Sequence, residues 1–237
     1  MATQEKTKIL GVCMHHDLGA LGAALNVRAL ERQLEILKDM GCNAIRTAHN
    51  PPAPELLDLC DRMGFLVMNE TFDMWKLGKS EFDYSLDWDR WHMEDLRDHL
   101  LRDRNHPCIF AWSIGNEIRE QFDSSGLELT CRLACILRAQ DPTRPVTCGL
   151  TETKPEKNFI SQSGCLDLLG FNYKIRNWKH FPSRFPGQRM IASENVSAYA
   201  TRGHYDLPSD STRVWPRRYG EEIIGPNPDL TVSAYDH

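Results

Sequence analysis

The 237-residue sequence has no apolar run of about 18 residues, the length that a helix needs to cross a bilayer. Its opening residues, Met1 to Lys6, also lack the apolar core of a signal peptide. We therefore expect a soluble chain with no membrane partner, whose compartment, cytoplasmic or periplasmic, the sequence leaves open. The 28 Lys and Arg against 33 Asp and Glu give a net charge of -5 without a basic stripe, which argues against nucleic acid as a partner.

The cysteines and glycines form none of the common metal-binding or phosphate-binding motifs. None of the eight cysteines belongs to a C-x-x-C pair, so we predict no metal site, and we expect the cysteines to be reduced and buried. Cys131 and Cys135, spaced i,i+4 on a predicted helix, are expected to share its core-facing side. No glycine-rich phosphate loop is present, and no organic cofactor is implied.

Short apolar runs alternate with longer amphipathic stretches, a rhythm typical of βα units around a parallel sheet. The predicted helices are Val27 to Met40, Pro54 to Met63, Trp88 to Arg104 and Gly126 to Ala139, and a glycine follows each of the first two as a stop signal. The predicted strands are Ile9 to Met14, Ala44 to Thr47, Phe65 to Asn69, Ile109 to Ile114, Val146 to Gly149, Leu166 to Phe171 and Met190 to Ser193.

Periodicity alone fits either a doubly wound sheet or a (β/α)8 barrel. Polar residues, however, cluster where several of the predicted strands end, and in a barrel the loops after these ends converge on one active site. A doubly wound sheet commonly has a glycine-rich loop at one switch point instead. We therefore predict an α/β fold of the (β/α)8 TIM-barrel type over residues 1–237, incomplete at its C-terminal end with about seven strands.

Two of the predicted strands run directly into a glutamate, Glu117 and Glu194. A lone glutamate of this kind more often turns outward into a loop, but two at the rims of two strands can face each other across a barrel mouth. Retaining hydrolysis of a glycosidic bond needs such a pair roughly 5 Å apart, one carboxyl as acid/base and the other as nucleophile. Asn116, beside Glu117, is a candidate to bond the 2-hydroxyl of the sugar.

At this point the sequence resembles glycoside hydrolase family 2, the group of β-galactosidases, β-glucuronidases and β-mannosidases. The resemblance covers nearly the whole chain. It rests on ordered motifs: GVCMHHD at 11–17, GCNAIRTAHNPP at 41–52, DLCDRMGFLVMNE at 58–70, RNHP at 104–107, and the Asn-Glu pair at 116–117.

The resemblance implies an enzyme, a retaining β-glycosidase with a carbohydrate substrate. It makes Glu117 the general acid/base and Glu194 the nucleophile. The segment after Glu194 resembles branches described as β-galactosidase-like, so we expect hydrolysis of terminal β-linked sugars of the β-galactoside type.

Four further rim residues take roles from the same resemblance. Arg46 is expected to position the nucleophile, although an arginine after a strand is often only a structural ion pair. His15 and His49 are expected to bind sugar hydroxyls, and Tyr173 to bond the nucleophile.

The acidic rim after the third predicted strand is ambiguous. Some relatives use a carboxylate at this rim to hold magnesium together with a histidine, but no histidine adjoins Glu70, and we expect no required metal. Trp75 is expected either to stack on a sugar ring, and so to bind substrate, or to pack in its loop. The basic stretch Arg213 to Arg218 is read as a solvated loop rather than a site for acidic sugars.

Two alternatives stay open. One is another two-glutamate barrel glycosidase of the cellulase or mannanase type. The other is a non-catalytic carbohydrate-binding or inert fragment, because the β-sandwich domains that precede the barrel in the family are not in this sequence. Beyond Glu194 only Thr231 to Tyr235 looks strand-like, so we expect a missing last strand, unpaired edges that promote self-association into homo-oligomers, and weak activity of the chain alone.

Overall fold

The computed structural model describes residues 7–195 of the chain. Seven parallel strands form one sheet in chain order, each paired with the next, as repeated βα units require. The sheet curls into a nearly closed barrel, in which the Cys13 thiol on the first strand donates to the carbonyl oxygen of Ser193 on the seventh at 3.3 Å. The predicted α/β barrel of the TIM type is confirmed, and residues 7–195 supply seven of its strands.

The four helices and seven strands that were predicted agree with the observed bounds to within two residues, apart from the start of the sixth strand. The strands are β1 (Gly11–Met14), β2 (Ala44–Thr47), β3 (Leu66–Glu70), β4 (Ile109–Asn116), β5 (Val146–Leu150), β6 (Leu169–Asn172) and β7 (Met190–Glu194). The helices are α1 (Val27–Asp39), α2 (Pro54–Met63), α3 (Trp88–Asp103), α4 (Ser125–Gln140), α5 (Phe159–Gln162), α6 (Ile175–Trp178) and α7 (Phe181–Arg184). Single 3-10 turns cover Gly19–Leu21, Tyr84–Leu86, Arg119–Phe122 and Pro155–Lys157.

Strand β6 begins three residues later than predicted because hydrogen bonds before Leu169 do not form a ladder. The N–H groups of Asp167 and Leu168 both donate to the carbonyl oxygen of Val146. The Asp167 carboxylate in turn accepts from the Val146 N–H at 2.9 Å. The apolar run from Leu166 therefore predicts too long a strand, because the Asp167 side chain bonds the start of β5 and interrupts the backbone pairing.

Local signals explain the helix ends. Asn26 precedes α1 and its Oδ1 accepts from the Ala29 N–H at 2.9 Å, which satisfies a donor that the helix leaves unpaired. Pro54 begins α2, where its missing N–H costs nothing. Gly64 ends that helix with a φ of 75°, a left-handed conformation that suits glycine.

The core lies between the sheet and its helices. Side chains alternate between the two faces of each strand, so the outward-facing residues of β2 to β4 pack against the helices. This layer includes Ile45, Val67, Trp112, Leu34, Leu57, Leu96 and Leu133, all of them buried. The inward face at the carboxyl ends of the strands is polar and forms the site described below. Among the described helices, none combines the length and apolar character needed to cross a membrane.

The barrel has one unsealed seam within the described residues. β1 pairs only with β2, and β7 pairs only with β6. Both edge strands are only partly buried, whereas β2 is buried throughout. A cavity of about 680 Å³ opens along the seam and reaches inward to Arg46 and Glu194. The expected strand Thr231 to Tyr235 and the basic stretch Arg213 to Arg218 lie outside the described residues.

The expectation that all cysteines are reduced and buried is wrong in two respects. Cys131 on α4 and Cys165 before β6 form a disulfide across a sequence separation of 34 residues. Cys135 is exposed rather than facing the core with Cys131. The i,i+4 spacing describes neighbours along one helix, whereas the partner of Cys131 comes from a segment that packs against α4 only in the folded chain.

The disulfide makes stability sensitive to reductant. A crosslink across about 34 residues restricts the unfolded chain and is worth about 2–4 kcal/mol. Urea denaturation with and without dithiothreitol should therefore differ by that free energy for the native sequence. The double variant Cys131→Ser, Cys165→Ser should show no such difference, while Cys135→Ser should behave as the native sequence does. Equal stability of the native chain in both conditions would contradict a closed disulfide.

Candidate active site

The buried guanidinium of Arg46, at the end of β2, connects four strands of the barrel. Its Nη2 donates to the Glu70 carboxylate on β3 at 2.8 Å and its Nε donates to the same carboxylate at 3.0 Å. Nη1 donates to Glu194 Oε1 on β7 at 2.7 Å, which is the contact predicted from the sequence. Nη2 also donates to Asn116 Oδ1 on β4 at 2.9 Å. One cation therefore fixes three side chains from three other strands.

Glu70 balances the charge of Arg46 in the barrel interior. Its carboxylate is fully buried and also accepts from His49 Nδ1 at 2.8 Å and from Ser113 Oγ at 2.5 Å. Burial by itself would raise the pKa of Glu70, but Arg46, His49 and Ser113 together lower it. Likewise, burial would lower the pKa of Arg46, and the charge of Glu70 raises it overall. Both oxygens of Glu70 are thus occupied, which leaves it no open ligand atom for magnesium.

Glu194 ends β7 with two strong donors on its carboxylate. Arg46 binds Oε1, and the Tyr173 hydroxyl donates to Oε2 at 2.6 Å. His49 Nε2 lies 3.6 Å from Oε1. The side chain of Glu194 is 12% exposed, so it borders the cavity rather than lying in the core. The contact predicted for Tyr173 is therefore present, and the negative charge of Glu194 has a cation and a hydroxyl beside it.

Glu117 follows β4 in a different environment. Its Oε1 accepts from Asn172 Nδ2 at 2.9 Å, a neutral donor. Its backbone N–H donates to Gly149 O at 2.7 Å. The end of β6 thus holds both glutamates, since Asn172 bonds Glu117 and the next residue, Tyr173, bonds Glu194. The carboxyl separation of about 5 Å stays a prediction.

The backbone at this rim is in an uncommon conformation. Glu117 and Tyr173 have positive φ values of 45° and 54°, which non-glycine residues rarely adopt. Such conformations persist only where the surrounding contacts hold them, and they cluster at functional sites. The surrounding contacts therefore hold the backbone of Glu117 and Tyr173 in these conformations.

The amide of Asn116 is oriented by three partners. Its Oδ1 accepts from Arg46 and from Asn172 Nδ2 at 3.0 Å, and its Nδ2 donates to Asp73 Oδ1 at 3.0 Å. A Cβ on Gly149 would lie 2.9 Å from Arg46 Nη2, so this crossing of side chains requires a glycine in β5.

The two candidate histidines lie together at the rim. His49 is half-buried and is held by Glu70, whereas His15 is exposed. Their rings meet edge to face with centroids 5.0 Å apart. His15 lines the same cavity as Arg46, Tyr173 and Glu194.

The expected stacking of a sugar on Trp75 is wrong for this structure. The Trp75 side chain is 0% exposed. Its indole N–H donates to the carbonyl oxygen of Ile114 at 2.8 Å, and its ring packs near Trp88. The alternative, packing of the loop, is the arrangement observed, because this loop folds back over the outer layer of the core.

Asn172, Asp73 and Lys79 also contact the candidate site residues, although the sequence analysis gave them no role. Asn172 has a recognisable signal, since it repeats the pattern of an amide at a strand end followed by a functional residue, as in Asn116-Glu117. Asp73 and Lys79 lie in the loop after β3 and contact Asn116. No spacing rule predicts where the side chains of a loop will lie, so these two had no signal.

One group of possible metal ligands lies away from the rim, near the start of β4 and at the opposite end of that strand from Glu117. Donor atoms of Asp61, His106 and Cys108 lie within 4.8 Å of one another. Both Asp61 oxygens are occupied, by His106 Nδ1 at 2.7 Å and by the Cys108 N–H at 2.9 Å. Burial raises the pKa of the Cys108 thiol, which disfavours a thiolate ligand. This group is therefore best explained as a hydrogen-bonded loop anchor.

Comparison with known proteins gives consistent results. The family model described as "Glycosyl hydrolases family 2, TIM barrel domain" matches residues 3–211. Beta-galactosidase BoGH2A of Bacteroides ovatus is 49% identical over 98% of this chain and 31% of its own length. A putative beta-glucuronidase of Formosa agariphila is 34% identical over 90% of this chain and 18% of its own length. The chain thus spans a third or less of the length of these relatives.

Solved structures of glycosidases are similar to this chain in fold and in sequence. A glycosyl hydrolase family 2 member from Bacteroides cellulosilyticus is similar with a TM-score of 0.77 and 39% identity, covering 82% of this chain and 25% of that one. A beta-glycosidase from Bacteroides vulgatus is similar with a TM-score of 0.74 and 43% identity, covering 85% of this chain and 25% of that one.

Removing the central cation should destabilise the fold. Arg46→Ala leaves the buried Glu70 carboxylate without its cation, and breaking a buried pair in this way costs about 3–5 kcal/mol. Arg46→Lys keeps the charge but loses the planar fork of donors, so it should lower the free energy of unfolding by less than Arg46→Ala does. Urea denaturation measures both. Arg28→Ala, which removes two surface ion pairs on α1, is the matched control and should change stability little. A loss below about 1 kcal/mol for Arg46→Ala would contradict the central role of this ion pair.

Proposed function

This chain belongs to glycosyl hydrolase family 2, and on that premise we propose that it carries the catalytic site of a retaining β-glycosidase. The observation that supports the proposal most is the asymmetric pair of glutamates at the barrel rim. Among the residues that the structure describes, Glu194 accepts from a cation and a hydroxyl, whereas Glu117 accepts from an amide. A nucleophile needs the first environment, and an acid/base that gains and loses a proton suits the second.

The first chemical step uses both glutamates at once. A Glu194 oxygen attacks the anomeric carbon of the sugar while the Glu117 carboxyl gives its proton to the glycosidic oxygen, so the bond to the leaving group breaks and a glycosyl ester forms. Arg46 holds the attacking carboxylate in place. Tyr173 keeps its hydrogen bond to Glu194 and helps this carboxylate to leave in the second step.

In the second step, water attacks the anomeric carbon from the face that the leaving group has left. Glu117, now ionised, takes a proton from water as the oxygen attacks the anomeric carbon, and the ester bond to Glu194 breaks with net retention. Asn116 bonds the sugar 2-hydroxyl, and His15 and His49 bind other hydroxyls. Hydrogen bonds to the 2-hydroxyl strengthen as the transition state forms, which lowers the barrier.

For the sugar, we propose a terminal β-galactoside. The support is the 49% identity with beta-galactosidase BoGH2A, against 34% with the putative beta-glucuronidase. Chromogenic aryl β-galactoside, β-glucuronide, β-mannoside and β-glucoside substrates test it. The panel is run on this chain and on a hybrid that carries it in place of the matching part of BoGH2A. Fastest turnover of another sugar by the hybrid would reject the galactoside, and binding without hydrolysis by both proteins would favour a carbohydrate-binding role.

The two glutamates should differ sharply when each is replaced. Glu194→Ala should abolish turnover of all aryl glycosides, since no other group can form the ester. Glu117→Ala should still form the glycosyl ester from a dinitrophenyl glycoside, whose leaving group needs no proton, and azide should restore the second step. Steady-state rates with and without azide, measured in the hybrid, test this. Glu128→Ala, on the exposed side of α4, is the control. Azide rescue of Glu194→Ala with retention at the anomeric carbon would show that the roles are reversed.

A further inference from the structure

The loop after β3 carries a lysine back to the catalytic rim. Lys79 Nζ lies 2.7 Å from Asp73 Oδ1 and 2.8 Å from the backbone carbonyl oxygen of Asn116. That oxygen belongs to the peptide bond between Asn116 and Glu117. The Lys79 side chain is 23% exposed, so most of it is covered by protein. A cation is thus bound to the backbone immediately before the candidate acid/base.

This peptide is held at both of its polar atoms. Lys79 donates to the carbonyl oxygen of Asn116, and the N–H of Glu117 donates to Gly149 O at 2.7 Å. The φ of 45° at Glu117 is unfavourable for a residue with a side chain, so the peptide would rotate toward a commoner conformation if one bond were lost. Rotation here would move the Glu117 carboxyl, because the carboxyl hangs from the Cα that follows the peptide.

The same lysine also orients the Asn116 side chain. Asp73 Oδ1 accepts from both Lys79 Nζ and Asn116 Nδ2. Burial would raise the pKa of Asp73, but Lys79 and Asn116 lower it overall, so the carboxylate stays charged and keeps both contacts. Lys79 therefore acts on Asn116 at its backbone and, through Asp73, at its amide.

The loop is built to place this lysine. Asp83 accepts from the Ser80 N–H at 2.7 Å, and the buried Glu120 accepts from the Leu77 N–H at 2.7 Å. These contacts fix the loop on both sides of Lys79. Lys76, in the same loop, differs because it is 59% exposed and pairs with Asp89 away from the rim. The position of Lys79 is thus specific and not a property of every lysine in the loop.

We propose that Lys79 is a positioning residue that clamps the Asn116–Glu117 peptide and thereby aims the Glu117 carboxyl at the glycosidic oxygen. The proposal rests on the proposed function for its catalytic consequence, but the clamp itself is a property of the folded chain. Since misplacing a reacting group by about 1 Å can cost roughly a hundredfold in rate, losing the clamp should weaken acid catalysis without abolishing it.

The test compares Lys79→Met, Lys79→Arg and the control Lys76→Met by two measurements. The first is hydrogen exchange at the Glu117 amide in the 237-residue chain, where Lys79→Met should speed exchange about tenfold or more, because the peptide opens more often. The second is kcat/KM of the hybrid on phenyl and dinitrophenyl glycosides of its best sugar. Lys79→Met should lose about 10- to 100-fold on the phenyl glycoside and less than about threefold on the dinitrophenyl glycoside, which needs no acid.

The controls separate the possible failures. Lys79→Arg should recover most of the loss, since arginine can also donate to the carbonyl, and Lys76→Met should match the native chain. Unchanged exchange at the Glu117 amide in Lys79→Met overturns the clamp, whatever the activity. Equal losses on both glycosides also overturn it, because they indicate an effect that does not act through the Glu117 acid. If the native hybrid hydrolyses no glycoside, the proposed function fails, and the exchange measurement alone decides the clamp.

Discussion

The buried ion pair between Arg46 and Glu70 is the interaction on which the site depends. A guanidinium that is 4% exposed must be neutralised inside the barrel, and Glu70 does this with a carboxylate that has no exposure at all. The pair leaves one N–H edge of Arg46 for Glu194 and a further N–H for Asn116. Because Glu70 immobilises the Arg46 guanidinium, Arg46 can hold the Glu194 carboxylate at a fixed place.

The parallel sheet makes this arrangement possible. All of its described strands end at one rim, so residues far apart in sequence meet there, as Arg46 and Glu194 do. Alternation along β3 then separates two adjacent polar residues. Glu70 faces inward to Arg46, whereas Asn69 faces outward and donates to Asp103 on α3 at 2.9 Å. Gly149 on β5 leaves the space in which the side chains of Arg46, Asn116 and Asn172 cross.

Much of this could be predicted from the sequence, because apolar runs and glycine stops report local structure. The helix Pro54–Met63 has the predicted bounds, and polar residues at strand ends correctly indicated the rim. The contacts of Arg46 and Tyr173 with Glu194 were also predicted, from family resemblance. The expectations that were wrong concerned residues whose surroundings depend on long-range packing. Trp75 is buried under its own loop, and Cys131 meets a partner 34 residues away, neither of which a local pattern can encode.

We propose that Arg46 and Tyr173 prepare Glu194 as the nucleophile, while Glu117, bound by Asn172, is the acid/base. The most direct measurement is to treat the catalytically active hybrid with a 2-deoxy-2-fluoro glycosyl fluoride, which forms the ester but hydrolyses slowly, and to locate the label by peptide mass spectrometry. We expect one sugar on the peptide that contains Glu194. A sugar on Glu117, or on Glu70, would contradict it.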